Sequence, residues 1–483
     1  MSKKRFKRPV ATQFRSTAAL AAALLLSACK TFSPDGGMDA VAGFAGQELN
    51  KDVIAIRSAD EAAAARAAVE RLLKRPLTAD AAVQIALLNN RGLQAAYNAL
   101  GLAEANMIEA SLPPNPAFSV ERLSSSAEIE IERRIIANIL ALATLPARAD
   151  IAADRFRQAQ LRAAEETLRV AAETRRAYYR AVAGRELAGF LAQAQSAAAA
   201  ASQLARRLGE SGAMNKLDQA REQVLHADIT AQLAATRQRA ASDRERLVRL
   251  MGLWGRDLDF KLPHSLPALP RPWTLPFVEV EAVRRRVDLQ VARIEIETLA
   301  KSFGLTQATR FINLLEVAGV DKTMRERATG ETARSRGFEI EFQIPIFDFG
   351  EVRVRQAEQT YMQAVNRLVE KAVNVRSEAR DAYRVYRSTY DIAMLYRHEV
   401  LPLRKIISDE TLLRYNAMQI DVFALLAEAR QRILATTTAI EAQRDFWLAA
   451  TDLRVAVVGG GAGSPAGEGP KPMAGAVGGA AAH

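Results

Sequence analysis

Histidine, aspartate and glutamate side chains often serve as metal ligands and acid–base catalysts, but in this sequence they lack the spacing that such chemistry needs. The four histidines, His226, His264, His398 and His483, are far apart, and none has a second ligand at the spacing of a metal site. The glycine run that starts at Gly459 follows no predicted strand and lacks the Lys-Ser/Thr pair of a phosphate-binding loop. The sequence therefore predicts no catalytic residues, no metal and no cofactor, and we expect the protein not to be an enzyme.

The single cysteine, Cys29, is at a position that indicates covalent modification. It follows a basic stretch and an apolar run, Ala18–Leu26, which is too short to span a bilayer because that needs about 20 apolar residues. This pattern predicts a secretory signal peptide over residues 1–28. The Leu-Ser-Ala-Cys sequence that ends at Cys29 resembles the lipobox of bacterial lipoproteins, in which the cysteine receives a diacylglycerol and becomes the first residue. An ordinary signal peptide with an unmodified cysteine is the alternative.

The basic balance of the chain, +11 at neutral pH, comes partly from the signal segment. Residues 1–28 hold six Lys/Arg and no acidic residue, so their removal leaves 60 basic against 55 acidic residues. This near balance indicates a mixed, solvated surface rather than the concentrated basic patch of a nucleic-acid-binding protein.

The rest of the chain contains an internal sequence repeat, in which one unit occurs twice. Residues 154–182 align with residues 358–386 at a shift of 204, with Arg, Tyr and Arg in the same positions of both segments. Upstream, Leu93-Gln94 aligns with Leu289-Gln290 at a shift of 196. The eight-residue difference between the two shifts lies in the region of predicted strands, where loop lengths vary freely. An internal repeat of this length predicts a fold made of two similar halves.

Each half contains long helices with a regular apolar seam. In the second half the seam residues recur at intervals of three and four, as in helices packed side by side. They are Val365, Leu368, Ala372, Val375, Ala379, Ala382 and Tyr386. The first-half equivalents are Leu161, Ala164, Leu168, Ala171, Arg175, Tyr178 and Val182, of which only Arg175 is charged. We predict helices over residues 147–208, 214–250, 351–415 and 421–455, the first of them about 90 Å long.

Each helical pair is preceded by two candidate strands. Apolar residues from Phe338 to Ile344 alternate with Glu339, Glu341 and Gln343, and residues 128–132 alternate in the same way. Partner strands are predicted at Ala117–Leu123 and Thr309–Val317. A soluble sheet and a transmembrane barrel both alternate like this. Four strands cannot close a barrel alone, since single-chain barrels have at least about eight, so a membrane location requires an oligomer.

The junction after the last strand carries the most specific motif. Residues 344–353 read Ile-Pro-Ile-Phe-Asp-Phe-Gly-Glu-Val-Arg, in which Pro345 ends the strand, Asp348 follows, and Gly350 permits a sharp turn into the helix. With the repeated order of short helix, two strands and long hairpin, this motif resembles the TolC-like outer-membrane efflux proteins over about residues 77–456.

Three further motifs fit this resemblance, and one departs from it. The agreeing segments are Leu77–Asn90, Pro113–Pro116 and Tyr415–Arg430. The first-half strand exit, which contains Leu145-Pro146-Ala147-Arg148, lacks the Phe-Asp-x-Gly form of the second half. This departure bears on the assignment of a transported substrate more than on the fold.

The resemblance implies a mainly α fold with β: long coiled helical hairpins form a periplasmic α-barrel, and each chain gives four strands to a trimeric 12-stranded transmembrane β-barrel. The implied protein is a passive outer-membrane exit duct that conducts substrates from an inner-membrane pump through a periplasmic adaptor. Lys30 occupies a position where aspartate tends to retain enterobacterial lipoproteins at the inner membrane, so it favours outer-membrane anchoring. The implied partners are two further chains of a homotrimer, the adaptor, the pump and outer-membrane lipid, with no nucleic acid.

The expected domains follow from these patterns. They are a signal peptide (1–28), a lipidated periplasmic segment (29–76), a first repeat (77–262), a Pro-rich linker (263–276), a second repeat (277–456) and a disordered Gly/Ala-rich tail (457–483).

The two predicted hairpin turns, residues 208–218 and 414–421, are the candidate periplasmic gate. Asp218 and Asp421 begin the returning helices, where the helix dipole favours a carboxylate. The alternative is that threefold symmetry gathers copies of Asp421 into an acidic ring. Such a ring would repel itself unless it is offset by cations or by three basic residues near the turns. These basic residues are Arg206, Arg207 and Arg414.

Two other classes of protein also use long helical hairpins. A periplasmic adaptor has one hairpin flanked by lipoyl and β-barrel modules, whereas this chain predicts two hairpins in tandem. A lipid-anchored structural coiled-coil protein without a pore accounts for the helices but leaves the paired amphipathic strands unexplained.

Overall fold

The computed structural model describes residues 31–461, which form helices and one antiparallel sheet. The signal segment 1–28, Cys29 and the tail from residue 462 lie outside the described residues. Two compact units share the described chain. The sheet unit contains the residues up to Met38, Asn98–Gln160 and Val291–Leu368, and the helical unit contains Asp39–Tyr97, Leu161–Gln290 and the chain from Val369.

Helices account for most of the described chain. They are α1 (Met38–Phe44), α2 (Ala59–Leu73), α3 (Ala79–Asn89), α4 (Arg91–Ser111), α5 (Ile139–Ala143), α6 (Leu145–Glu210), α7 (Lys216–Met251), α8 (Val278–Arg285), α9 (Val287–Ala308), α10 (Glu351–Leu395), α11 (Leu401–Asn416) and α12 (Val422–Val458). Short π turns follow α1 and α10, at Ala45–Leu49 and Tyr396–Val400, and a 3₁₀ turn spans Gly255–Asp259. None of the helices in residues 31–461 combines the length and the apolar character needed to cross a membrane.

The sheet unit is built on four antiparallel strands in the order β1-β2-β3-β4. The strands are β1 (Ala117–Ser124), β2 (Glu128–Asn138), β3 (Leu314–Glu326) and β4 (Thr332–Gln343). The prediction of a third strand over Thr309–Val317 was wrong at its start and too short at its end. Residues 309–312 continue α9 as turns, with the Thr309 amide donating to Leu305 and the Ile312 amide donating to Thr309. The strand then runs on to Glu326 because β2 and β4 supply partners along its whole length.

The helical unit contains most of the long hairpins, whereas the first parts of α6 (to Gln160) and α10 (to Leu368) belong to the sheet unit. Helices α6 and α7 begin and end within two residues of the predicted limits. The second pair differs, because a π turn at Tyr396–Val400 separates α10 from α11 where one continuous helix was predicted. Pro402, in the first turn of α11, cannot donate a backbone hydrogen bond and its ring crowds the preceding turn. A π turn is a common way for a long helix to accommodate such a break.

The apolar seam lies at the contact surface of the helices, as its spacing predicts. Val375, Ala379 and Tyr386 are buried in α10. In α6 every first-half seam residue except Arg175 is buried as well. Arg175 has a side chain only 12% exposed, and its guanidinium meets Asp80 at 2.8 Å. The one charged residue of the seam is thus compensated by an ion pair to the segment that begins the first predicted repeat.

The short helices α2 and α3 pack on the long ones through a compact apolar cluster. Leu77 and Ile85 are fully buried there against Tyr178, Val182 and Met251. The Tyr178 hydroxyl donates to the Leu77 carbonyl at 3.0 Å. This cluster explains why Leu77–Asn90 is apolar on the sides that meet two long helices.

The Pro-rich segment between residues 263 and 276 is held against the long helices by hydrogen bonds. Trp447 Nε1 and Gln443 Nε2 donate to the Pro267 carbonyl at 3.1 and 2.8 Å. The Trp273 amide donates to the Tyr386 hydroxyl at 3.0 Å. The segment therefore lies along the helical surface in a fixed path.

Candidate functional site

The four-stranded sheet has two chemically different faces. Residues that are direct partners in an antiparallel ladder point to the same face, and successive residues of one strand point to opposite faces. The ladder pairs Glu132 with Glu121 and Lys322, and it pairs Arg133 with Val120 and Asp321. Alternation along each strand then assigns every other side chain of the sheet to one of the two faces.

One face is acidic. The glutamates that share it, called here the acidic face, are Glu121, Glu128, Glu130, Glu132, Glu316, Glu326, Glu339 and Glu341. Two cations lie among them. Lys322 pairs with Glu130, and Arg134 pairs with Glu132 and, at 3.4 Å, with Glu339. Because glutamates outnumber cations, this face has a strongly negative charge.

The opposite face is apolar over the half of the sheet that joins the helices. The residues of this apolar face are Phe118, Ile135, Leu315, Val317, Phe338, Ile340 and Phe342. Phe338 is 78% exposed and Phe342 is 59% exposed in the single chain. Ile346 and Phe347, which follow the strand, are exposed too. Such a large exposed apolar surface marks a contact with protein or with lipid.

The same face becomes basic toward the turns that link β1 to β2 and β3 to β4. Here three successive rows of the ladder hold five arginines and one aspartate, together with the apolar residues Val120, Ile129 and Ile131. This arginine layer consists of Arg122, Arg133, Arg325, Arg334, Arg336 and Asp321. Asp321 accepts hydrogen bonds from Arg334 at 2.8 Å and from Arg336 at 3.0 Å, and Arg133 lies 3.7 Å away.

The strand-to-helix junction contains Pro345, Asp348 and Gly350 in one tight turn. Asp348 Oδ1 accepts from the Gly350 amide at 3.0 Å. Gly350 has a φ of 72°, and a Cβ there would lie 2.2 Å from the Arg310 carbonyl oxygen. The Phe349 amide donates to the Pro345 carbonyl at 2.8 Å. The turn thus requires glycine for both its backbone conformation and its close contact with the end of α9.

The first hairpin turn contains a buried acidic pair. The Asn215 side chain accepts from the Asp218 amide at 2.9 Å and so caps α7, and its amide nitrogen donates back to the Asp218 carboxylate. One turn further, Glu222 is 3% exposed and accepts from Arg430 of α12 at 3.4 Å. Burial raises the pKa of the Glu222 carboxyl, with Arg430 opposing this shift and Asp218 adding to it.

The second hairpin turn is exposed. Asp421 is the N-cap of α12, and its carboxylate accepts from the Ala424 amide at 2.9 Å. The three predicted basic partners are exposed, and in residues 31–461 none of them forms an ion pair with Asp218 or Asp421. They are Arg206, Arg207 and Arg414. The single chain therefore places Asp421 as a helix-end residue. Within these same residues, no three His, Cys, Asp or Glu side chains are grouped to hold a metal ion.

Solved outer-membrane channels share this architecture. The outer-membrane channel OprN is 17% identical, with 81% of this chain and 92% of that chain covered and a TM-score of 0.65. The CmeC outer-membrane channel of Campylobacter jejuni is 14% identical, with 82% and 86% covered and a TM-score of 0.65. The open state of the MtrE outer-membrane channel of Neisseria gonorrhoeae is 16% identical, with 81% and 89% covered and a TM-score of 0.63.

The chain has the fold of the TolC-like outer-membrane channels. The resemblance drawn from the sequence motifs is therefore confirmed at the level of the fold. The sequence itself matches no protein-family model and no curated protein sequence.

Two features of this TolC-like fold were not predicted from the sequence. The Glu222–Arg430 pair joins residues 208 positions apart, and only the packing of α7 against α12 brings them together. The spacing of Asp218 and Glu222 does place both on one helix face, which was the available signal. The arginine layer was missed because Arg133, Asp321 and Arg336 come from three separate strands, and the register of β3 was needed to align them.

Proposed function

We propose that the protein is the outer-membrane exit duct of an efflux system. The observation that supports this best is the sheet with one apolar and one acidic face. A strand in a membrane channel needs apolar side chains toward lipid and polar side chains toward water. Between the helices and the arginine layer the two faces of the sheet meet that need, with apolar exceptions on the acidic face that include Ile136, Ala318 and Val320. The fold shared with solved outer-membrane channels supports the same assignment.

Oligomerisation follows from the edges of the sheet. Within residues 31–461, β1 and β4 are each paired on one side only, so both outer edges leave backbone amides and carbonyls open. Open edges are not tolerated in the hydrocarbon region of a membrane. Three copies joined β4 to β1 would give twelve strands and close a transmembrane barrel, with the helical hairpins forming a periplasmic conduit.

The duct would be passive. In this proposal an inner-membrane pump supplies the energy, and a periplasmic adaptor meets the hairpin turns near Asp218 and Asp421. Conduction then needs no catalytic residue in this chain. The proposed domains are the two repeats at 77–262 and 277–456, with the linker 263–276 between them.

A planar-bilayer recording of the purified full-length protein tests the channel assignment. We expect discrete single-channel conductance and, by native mass spectrometry, a complex of three chains. Heat-modified migration on gels would report the closed barrel. A folded protein that gives no conductance in bilayers would contradict the proposal and favour an adaptor or a pore-free structural coiled coil.

Anchoring by a lipid on Cys29 is a separate part of the proposal. Mass spectrometry should find a mature N-terminus at Cys29 with added acyl mass. Cys29→Ala should leave the protein unacylated and its signal segment uncleaved. A mature N-terminus at another residue, without acyl mass, would remove the lipoprotein assignment and leave the channel assignment intact.

A further inference from the structure

The arginine layer occupies a defined level of the sheet. In β4, the apolar side chains Phe342, Ile340 and Phe338 give way to Arg336 and Arg334 on the same face. Arg336 is eight residues from Ile344, about 27 Å along an extended strand and less along the membrane normal because strands tilt. The apolar band of an outer-membrane barrel is about 25 Å tall. At a tilt of about 40°, the strand length of about 27 Å spans roughly 21 Å along the membrane normal, so the layer begins within a few Å of where the hydrocarbon region would end.

The layer also lies at a defined end of the strands. The opposite ends join α4, α5 and α9, whereas the layer is next to the turns at residues 125–127 and 327–331. If the helices lie in the periplasm, as in the proposed function on which this inference rests, these turns face the exterior. The layer is then level with the headgroups of the outer leaflet.

Arginine is costly on a lipid-facing surface unless it reaches polar groups. Five arginines share the layer with Asp321 alone, so each chain presents a net charge of +4 there. Arg334 and Arg336 have side chains 54% and 72% exposed, although both already bond Asp321. Both guanidinium groups are therefore accessible to solvent, and an anion can reach the donors that do not bond Asp321.

The chemistry of these donors selects the anion. Guanidinium groups form paired hydrogen bonds with phosphate oxygens, and Asp321 fixes two of the guanidinium groups side by side. We propose that the arginine layer binds phosphate groups of lipids in the outer leaflet, with a preference for headgroups that carry more than one phosphate. The acidic face of the same strands would repel these headgroups and so keep lipid on the outer side.

Native mass spectrometry of the full-length protein in detergent tests the proposal, with lipid A carrying two phosphates and lipid A carrying one as the probes. We expect the diphosphorylated lipid to bind about tenfold more tightly or better, since one additional charge-assisted contact is worth about that factor. The double variant Arg334→Gln/Arg336→Gln should lose this preference. Both substitutions remove charge from a lipid-facing surface, so the variant is expected to fold.

The matched control removes the same number of cations from the other face. Arg134→Gln/Lys322→Gln should keep the preference of the wild type. The proposal is overturned if Arg334→Gln/Arg336→Gln binds diphosphorylated lipid A as tightly as the wild type, or if an equal concentration of inorganic phosphate displaces the lipid. A bilayer recording of the same preparation distinguishes failure of the lipid assignment from failure of the channel assignment. A conducting channel without lipid preference contradicts only the lipid assignment. A preparation without conductance contradicts the proposed function.

Discussion

The two faces of the sheet are made of alternating residues of the same four strands, yet they suit opposite surroundings. Glu339 and Glu341 point to the acidic face, and their neighbours Phe338, Ile340 and Phe342 point to the apolar face. A shift of one residue in the pairing of β3 with β4 would exchange the two sets. The comparison shows that register, rather than composition, gives each face its character.

The largest effect is expected when a charge is placed on the apolar face. If the sheet forms the proposed barrel, Ile340→Arg should destabilise the folded protein by about 2–4 kcal/mol, the cost of arginine near the bilayer midplane. Glu341→Arg, one residue along and on the acidic face, is the control and should be close to neutral. Folding into lipid vesicles, followed by heat-modified migration, measures both. Equal losses in the two variants would show that the faces do not differ in environment.

The junction that holds β4 in register is the next target. Gly350→Ala introduces a side chain at a φ of 72° and places its Cβ against the Arg310 carbonyl. A strained backbone of this kind costs about 1–3 kcal/mol. Gly337→Ala, within β4, meets nothing within 4 Å and should be tolerated. Thermal unfolding compares the two, and a Gly350→Ala protein as stable as the wild type would mean that the turn does not fix the strand.

Neutralising the acidic face should change ion selectivity. Two negative charges on a wet pathway each act with about 1 kcal/mol at close range. Glu339→Gln/Glu341→Gln should therefore lower the cation-to-anion permeability ratio by at least about fivefold, the factor to which 1 kcal/mol corresponds. Reversal potentials in a salt gradient give this ratio. Arg334→Gln/Arg336→Gln should leave it unchanged, and a shift of equal size there would contradict the separation of the faces.

Asp421 tests whether the hairpin turn adds to the selectivity of the sheet. Asparagine caps helices as well as aspartate does, so Asp421→Asn should keep α12 intact. If copies of Asp421 form an acidic ring in the trimer, the variant should change single-channel conductance and weaken block by multivalent cations by up to about fivefold. Wild-type conductance and block in a folded trimer would restrict Asp421 to its capping role.

The buried Glu222 contrasts with the exposed glutamates of the sheet and should give the smallest effect. Because burial raises its pKa, ionisation of Glu222 becomes unfavourable to the folded state as pH rises. As pH rises from acidic to neutral, the free energy of unfolding of Glu222→Gln should therefore increase relative to that of the wild type. The loss of the attraction to Arg430 reduces this gain. Glu339→Gln is the control, because the Glu339 side chain is 51% exposed although it also faces a cation, Arg134. A pH-independent difference for Glu222→Gln would contradict this account.

Local patterns predicted the helices better than the sheet. The long stretch without proline after Ala147 defined α6 and α7 to within two residues, because helix formation depends on neighbours in sequence. The start of β3 was misplaced because Thr309 carries the β-branched side chain of a strand but completes the last turn of α9. The π turn before Pro402 had a visible cause in the sequence and was overlooked.

The residues of the candidate site could be predicted where they belong to one short stretch of sequence. Asp421 and Asp348 bond backbone amides within three residues, and the sequence placed them at a helix start and a strand exit. Gly350 was predicted from the same turn, although its contact with Arg310 was not. The arginine layer and the Glu222–Arg430 pair depend on strands or helices far apart in the chain. Their geometry is set by tertiary pairing, which one sequence does not encode in any local window.

The two open edges of the sheet also determine whether a mutation in the protein should be dominant or recessive. If each closed channel takes its strands from three chains, a chain that pairs normally but blocks conduction damages every complex it joins. Equal expression of wild-type and blocked copies would leave roughly one complex in eight free of the defect, since subunits of a symmetric oligomer mix at random. Mutations inside the duct should therefore be dominant, whereas mutations that destroy both β1 and β4 should be recessive because such chains have neither edge strand with which to join a complex.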